Sequence, residues 1–114
     1  MGCYTTSARV YNGRDNIISL VLLDDGSVIS DLSPVTRATV EVAGVLIDSL
    51  VSGPTVIWWT DQAEYEGQTV DVLRLRLGEQ SIPAGVYNDV DIIIYDAIYI
   101  NGLKVQTPVE FTVT

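Results

Sequence analysis

The chain has 114 residues, 47% hydrophobic and 18% charged, and a formal charge of −9 from six Lys+Arg against fifteen Asp+Glu. This length suits a single domain spanning residues 1–114 that buries roughly two thirds of its unfolded surface, and the composition excludes disorder. The negative field repels nucleic-acid phosphates and anionic lipids, so proteins are the expected partners, with no nucleic acid and no membrane.

Cys3 is the only cysteine and there is no histidine. An internal disulfide is therefore excluded, and the commonest general base and transition-metal ligand are missing. No apolar run approaches the roughly 20 residues of a membrane-spanning helix. The start reads without a charged-then-apolar leader. "MGCYTT" matches the short myristoylation pattern, but no polybasic segment follows it. Residues 1–6 are expected to form a flexible arm.

In chain order the sequence reads as strands nearly throughout. The first is expected in "SARVYNG", residues 7–13. In "IISLVLLDDGSVIS", Asp25-Gly26 is a hairpin signal that predicts pairing of 17–23 with 27–31. Thr36, Ala38, Val40 and Val42 then alternate with Arg37, Thr39 and Glu41, a half-buried strand closed by Gly44. "VLIDS" is a short strand and "VSGPT" a turn before "VIWWT". "DQAEYEGQ", residues 61–68, is expected to be a polar loop. "TVDVLRLRLG" places Asp71, Leu73, Leu75 and Leu77 on one face and Val70, Val72, Arg74 and Arg76 on the other, which the two valines suggest is partly covered.

After a turn at Pro83-Ala84-Gly85, Val90, Ile92 and Ile94 face one way and Asp89, Asp91, Ile93 and Tyr95 the other. Asn101-Gly102 predicts a two-residue hairpin between Ile100 and Leu103. Val109, Phe111 and Val113 point inward from the last strand, which Pro108 assigns to an edge or a bulge. About seven strands without a helix fit an all-β, immunoglobulin-like antiparallel β-sandwich, with a small barrel as the alternative.

The chemistry-bearing pairs are carboxylates: Asp24 and Asp25, Glu64 and Glu66, Asp89 and Asp91. Such pairs on strands and turns mostly solvate an outer face or shape a turn. No nucleophile–base pairing or phosphate-cradling glycine loop accompanies them, so the expectation is no enzyme and no cofactor. Asn88, Asp89 and Asp91, or Asp61, Glu64 and Glu66, offer oxygens for calcium without any EF-hand spacing, and no metal site is assigned.

"LRLRLGEQSIPAGVYNDVDIIIYD" resembles immunoglobulin-like modules in which a leucine-rich strand and a Pro/Gly turn lead to Gly-x-Tyr, here Gly85-Val86-Tyr87. There glycine permits the corner and the tyrosine hydroxyl ties the loop back to the backbone. With "NIISLVLLDDGSVISDLS", a Trp-bearing middle strand and "NGLKV…VEFTV", the pattern is similar to the β-sandwich domain at the N-terminus of siphophage upper baseplate proteins and related virion adaptors. The resemblance implies a virion part, made in the host bacterial cytoplasm, that associates with other virion proteins and forms a homo-oligomer in the particle.

"VIWWT" holds both tryptophans of the chain. Alternation sends one inward, and pairing Trp58 with Val56 in the core leaves Ile57 and Trp59 outward. Ile57, Trp59, Ile93 and Tyr95 are then the expected protein interface, since aromatics are enriched in interface hot spots. Gly85, Tyr87, Asn101 and Gly102 are the expected turn and corner residues. The alternative function is a carbohydrate- or receptor-binding module, with exposed aromatics stacking on sugar and Asp61, Gln62 and Glu64 taking hydroxyls.

Overall fold

The computed structural model describes residues 6–24, 26–105 and 109–114. The MGCYT start, Asp25 and Pro108 lie outside the described residues. The elements in order are β1 (Thr6–Val10), β2 (Ile17–Leu20), β3 (Leu23–Asp24), β4 (Ser27–Val28), β5 (Arg37–Val42), β6 (Val45–Asp48), α1 (Ser49–Ser52), β7 (Ile57–Tyr65), β8 (Gln68–Arg76), β9 (Gly85–Tyr87), β10 (Val90–Tyr95), β11 (Leu103–Val105) and β12 (Val109–Val113). The described chain is all-β apart from the single turn α1.

The strands form sheets of order β1-β12-β9, β11-β10-β5-β6 and β2-β8-β7, with β3-β4 as a separate small hairpin. The first two sheets are linked by consecutive strands of the chain. Ile92 faces Val105 in one pair, and Tyr87 faces Phe111 in the other.

One hydrophobic core joins the three larger sheets. Leu20 from β2, Leu73 and Leu75 from β8, Val40 from β5, Ile92 from β10 and Phe111 from β12 are all essentially inaccessible. Sheets that share a core in this way have the layered arrangement of a β-sandwich. The alternation expected for β5, β8, β10 and β12 sets these inward faces. Burying a large aliphatic side chain stabilises by about 1.5–3 kcal/mol, so faces rich in Leu, Ile and Val fix which way each strand turns.

The all-β, sandwich-like class is as expected; it is divided into twelve strand segments among the described residues, and one pair, β1 with β12, is parallel. Other expectations are corrected. Of the expected pairing of 17–23 with 27–31 only the end next to the turn forms: Leu23 pairs with Val28, and the Ile29 N–H donates to the Leu22 carbonyl. β2 pairs instead with β8, Ile18 opposite Leu75 and Leu20 opposite Leu73, and only Leu23–Asp24 and Ser27–Val28 form the hairpin next to Gly26. Burial decides this, because Ile18 and Leu20 reach the core only beside the leucines of β8.

The expected loop 61–68 is mostly strand. β7 runs to Tyr65 and turns at Glu66-Gly67 into β8. Both turn residues have positive φ, +50° and +81°, as a two-residue hairpin turn of the I′ type requires. Asp61, Ala63 and Tyr65 are half-buried while Gln62 and Glu64 are exposed, a period of two hidden by polar side chains. Val70 and Val72 are 0% and 1% exposed, yet neither belongs to the core cluster, so the outer face of β8 is covered there.

Candidate protein-association surface

The register of β7 fixes the tryptophans. Ile57 lies opposite Leu75, an inward residue, and is 1% exposed. Trp59, two residues on, packs against the core and donates its indole N–H to the Val35 carbonyl at 3.1 Å. Trp58 takes the outer face. The expected orientation is therefore reversed, and Ile57 and Trp59 do not form an outward pair. Both apolar pairs satisfied alternation equally, and the cross-strand partner Leu75 breaks the tie.

The outward Trp58 is held by polar neighbours. Its Nε1 donates to Asp61 Oδ2 at 2.9 Å, and the Arg76 guanidinium stands 5.7 Å from its ring centroid. Asp61 also sits 3.4 Å from Arg74 Nε, within ion-pair range, although that Nε makes no hydrogen bond. A bulge explains why residues 58 and 61 share a face. Trp58 pairs with Arg74 but Asp61 with Val72, so Trp59 and Thr60 together oppose Leu73 alone. A shallow cleft of about 140 Å³ beside Arg76 is lined by Asp15, Thr55, Val56, Glu79 and Gln80.

Ile93 and Tyr95 do lie on the outer face of the four-stranded sheet, half-buried by their own chain. The Arg37 guanidinium sits 4.6 Å from the Tyr95 ring centroid and pairs through two nitrogens with the Asp48 carboxylate. That hydrogen bonding, helped by the Leu50 N–H and opposed by partial burial, lowers the Asp48 pKa below the ordinary 3.8. On the other side the backbone of Gly102 closes over the two residues. A Cβ at Gly102 would stand 2.5 Å from Ile93 Cγ2 and 2.8 Å from Tyr95 Cε2.

Asn101 and Gly102 do not form a two-residue turn. β10 ends at Tyr95 and β11 starts at Leu103, with residues 96–102 as the loop between them. Asp96 starts it by accepting from the N–H groups of Ile98 and Tyr99, and Gly102 N–H closes it onto the Tyr99 carbonyl. At the other corner, Tyr87 donates its hydroxyl to the Pro83 carbonyl at 2.7 Å, with Gly85 under its ring.

This loop carries apolar groups that sequence reading left inside a strand. Ile98 and Ile100 are 82% and 74% exposed, and Tyr99 is also exposed. They have company. The register pairs Tyr95 with Arg37, and Arg37 reaches Asp48, so β10 and β6 leave the sheet at the same end. Asp48 caps α1 there by accepting the Leu50 N–H, and α1 presents Leu50 and Val51 at 70% and 84% exposure. Five large apolar side chains thus crown one end of the four-stranded sheet, on a protein that carries a net charge of −9. Large apolar groups exposed at one end of the sheet make that end the candidate interaction surface. The signal in the sequence was "DAIYING", where an Asp-initiated turn ends the strand before its aliphatics are used.

Comparison of the chain with protein-family models, with curated proteins and with solved structures yields no match.

Proposed function

We propose that this chain is a non-enzymatic structural protein of a tailed-phage virion that acts by protein–protein association. One observation carries the association: Leu50, Val51, Ile98, Tyr99 and Ile100 stand exposed at one end of a rigid sheet. Burying them against a partner releases apolar surface from water at roughly 25 cal/mol per Å². The partners are other virion proteins, and the virion assignment rests on the sequence resemblance to siphophage baseplate modules. The immunoglobulin-like form of the sandwich belongs to the same reading. It is supported by the Tyr87-to-Pro83 corner and by the leucine-faced β8 that precedes it.

The test is co-expression with the products of neighbouring genes, followed by size-exclusion chromatography and mass analysis. The wild type is expected to form a stoichiometric complex, and an Ile98→Ser/Ile100→Ser variant with an unchanged melting curve is expected to lose it. A wild type that forms no such complex and instead binds on a glycan array would replace this reading with a carbohydrate-binding module.

A further inference from the structure

A different surface points to a specific partner. β6 is the terminal strand of its sheet, and its outer edge has no strand beside it among the described residues. The phase of its hydrogen bonds follows from the turn before it. Ala43 and Gly44, both at positive φ, make a two-residue hairpin, so Val42 and Val45 are a hydrogen-bonded pair. Two residues later Ile47 is again bonded to β5. The main-chain groups of Leu46 and the N–H of Asp48 therefore point away from the sheet.

Exposed edges invite pairing, and folded proteins usually blunt them. The contrast within this molecule is informative. β7, terminal in the other sheet, has a bulge at Trp59–Thr60 and carries Asp61 and Glu64. β2, at the opposite border of that sheet, has β1 against it. Val45–Asp48 has no proline, no lysine and no bulge. Its single charge, Asp48, is neutralised by the two-nitrogen pairing with Arg37. Its outward side chain is Leu46, 59% exposed.

We propose that β6 is a self-pairing edge, through which two copies join antiparallel about a twofold axis and merge their four-stranded sheets. An antiparallel twofold suits a strand that offers its own donor and acceptor groups to an identical strand. Two bodies of −9 repel each other, but the one carboxylate on β6, Asp48, is paired with Arg37 and adds little to that repulsion. The pairing sets Leu46 against its counterpart and brings Leu50 and Val51 toward the partner's edge. The like net charge of the two copies opposes this pairing, and added salt screens it, so salt tightens the pair.

This deepens the proposed association by naming a second copy, and it rests on that reading only in taking the chain to be an assembling part. The experiment is sedimentation equilibrium with amide hydrogen exchange at low and high protein concentration. A concentration-dependent rise from 12.4 kDa to twice that mass is expected, stronger at higher ionic strength. The Leu46 and Asp48 amides should gain protection in step with the mass. Leu46→Pro, which removes one outward donor, and Leu46→Lys, which adds a charge at an exposed position, should each return the mass to one chain. Ile98→Ser/Ile100→Ser should leave the pair intact, so loss of neighbour-gene complexes and loss of self-pairing separate. The proposal is overturned by a chain that stays monomeric at every concentration. It is equally overturned by a dimer whose Leu46 and Asp48 amides exchange freely, by a dimer that Leu46→Lys leaves intact, or by a dimer that salt dissociates.

Discussion

Trp58 Nε1 donates to Asp61 Oδ2 at 2.9 Å, a contact between residues three apart on one strand. A regular strand would put them on opposite faces. The bulge at Trp59–Thr60 inserts one residue against Leu73 and brings them to the same side. The same bulge leaves Trp59 to point inward, where its own indole N–H finds the Val35 carbonyl.

The two tryptophans should therefore behave differently when truncated. Trp59→Ala removes an aromatic packed on the core and leaves a cavity, and it should cost about 3 kcal/mol of stability. Trp58→Ala removes an outer-face ring with one hydrogen bond and one arginine contact, and about 1 kcal/mol is expected. Urea denaturation of both variants measures the order, and a larger loss for Trp58→Ala would contradict the face assignment.

Gly78→Ala should be the most damaging glycine substitution. A Cβ there would stand 1.9 Å from the Arg14 carbonyl oxygen and 2.8 Å from that of Tyr11, and backbone cannot swing aside as a side chain does. A loss of at least about 3 kcal/mol is expected, the upper part of the range for overpacking. Gly44→Ala meets nothing within 4 Å and is strained only by its φ of +77°, so about 1 kcal/mol is expected. Thermal melts of the two variants side by side make the comparison.

Asp48 makes stability sensitive to acid. Its folded pKa is lowered, chiefly by the Arg37 hydrogen bonds. Its stabilising contribution is therefore complete above the ordinary value of 3.8 and is lost as pH falls through the lower folded value. Asp48→Asn keeps a capping side chain for α1 but discards the charge. The stability gap between wild type and Asp48→Asn should stay constant above about pH 5 and close in stronger acid. Denaturation midpoints followed across that range test the sign. A gap that widens toward low pH would refute it.

Tyr87→Phe isolates the corner. It keeps the ring beside Gly85 and removes only the hydroxyl that binds the Pro83 carbonyl. The loss of that bond should cost about 1 kcal/mol. Amide exchange should quicken first in the 83–87 corner, which distinguishes a local tie from a general loss of packing.

Alternation made much of the frame legible. Val40 and Val42, Leu73 and Leu75, Ile92 and Ile94, Phe111 and Val113 all face inward as period-two reading expects, because each strand has one apolar and one mixed face. The corner at Gly85-Val86-Tyr87 was expected from the resemblance to immunoglobulin-like modules, and the Tyr87 hydroxyl does bind the Pro83 carbonyl. The candidate surface was not legible. Ile98 and Ile100 look like strand residues until the Asp96 turn ends β10 before them. Leu50 and Val51 look like strand or turn until α1 turns them outward.

By itself, then, the sequence determined an all-β protein, the inward faces of its clearest strands and an acidic composition. These follow from local periodicity and side-chain chemistry, which a single stretch of chain carries complete. Only the tertiary structure decided the strand partners, the face of each tryptophan and the end at which the apolar groups gather. Both tryptophan assignments satisfied alternation, and the choice came from Ile57 lying across from Leu75, eighteen residues further along the chain. β7 and β8 are joined by a two-residue turn, yet the bulge at Trp59–Thr60 shifts their register, and burial against the rest of the core, not the strand's own alternation, selects that shift.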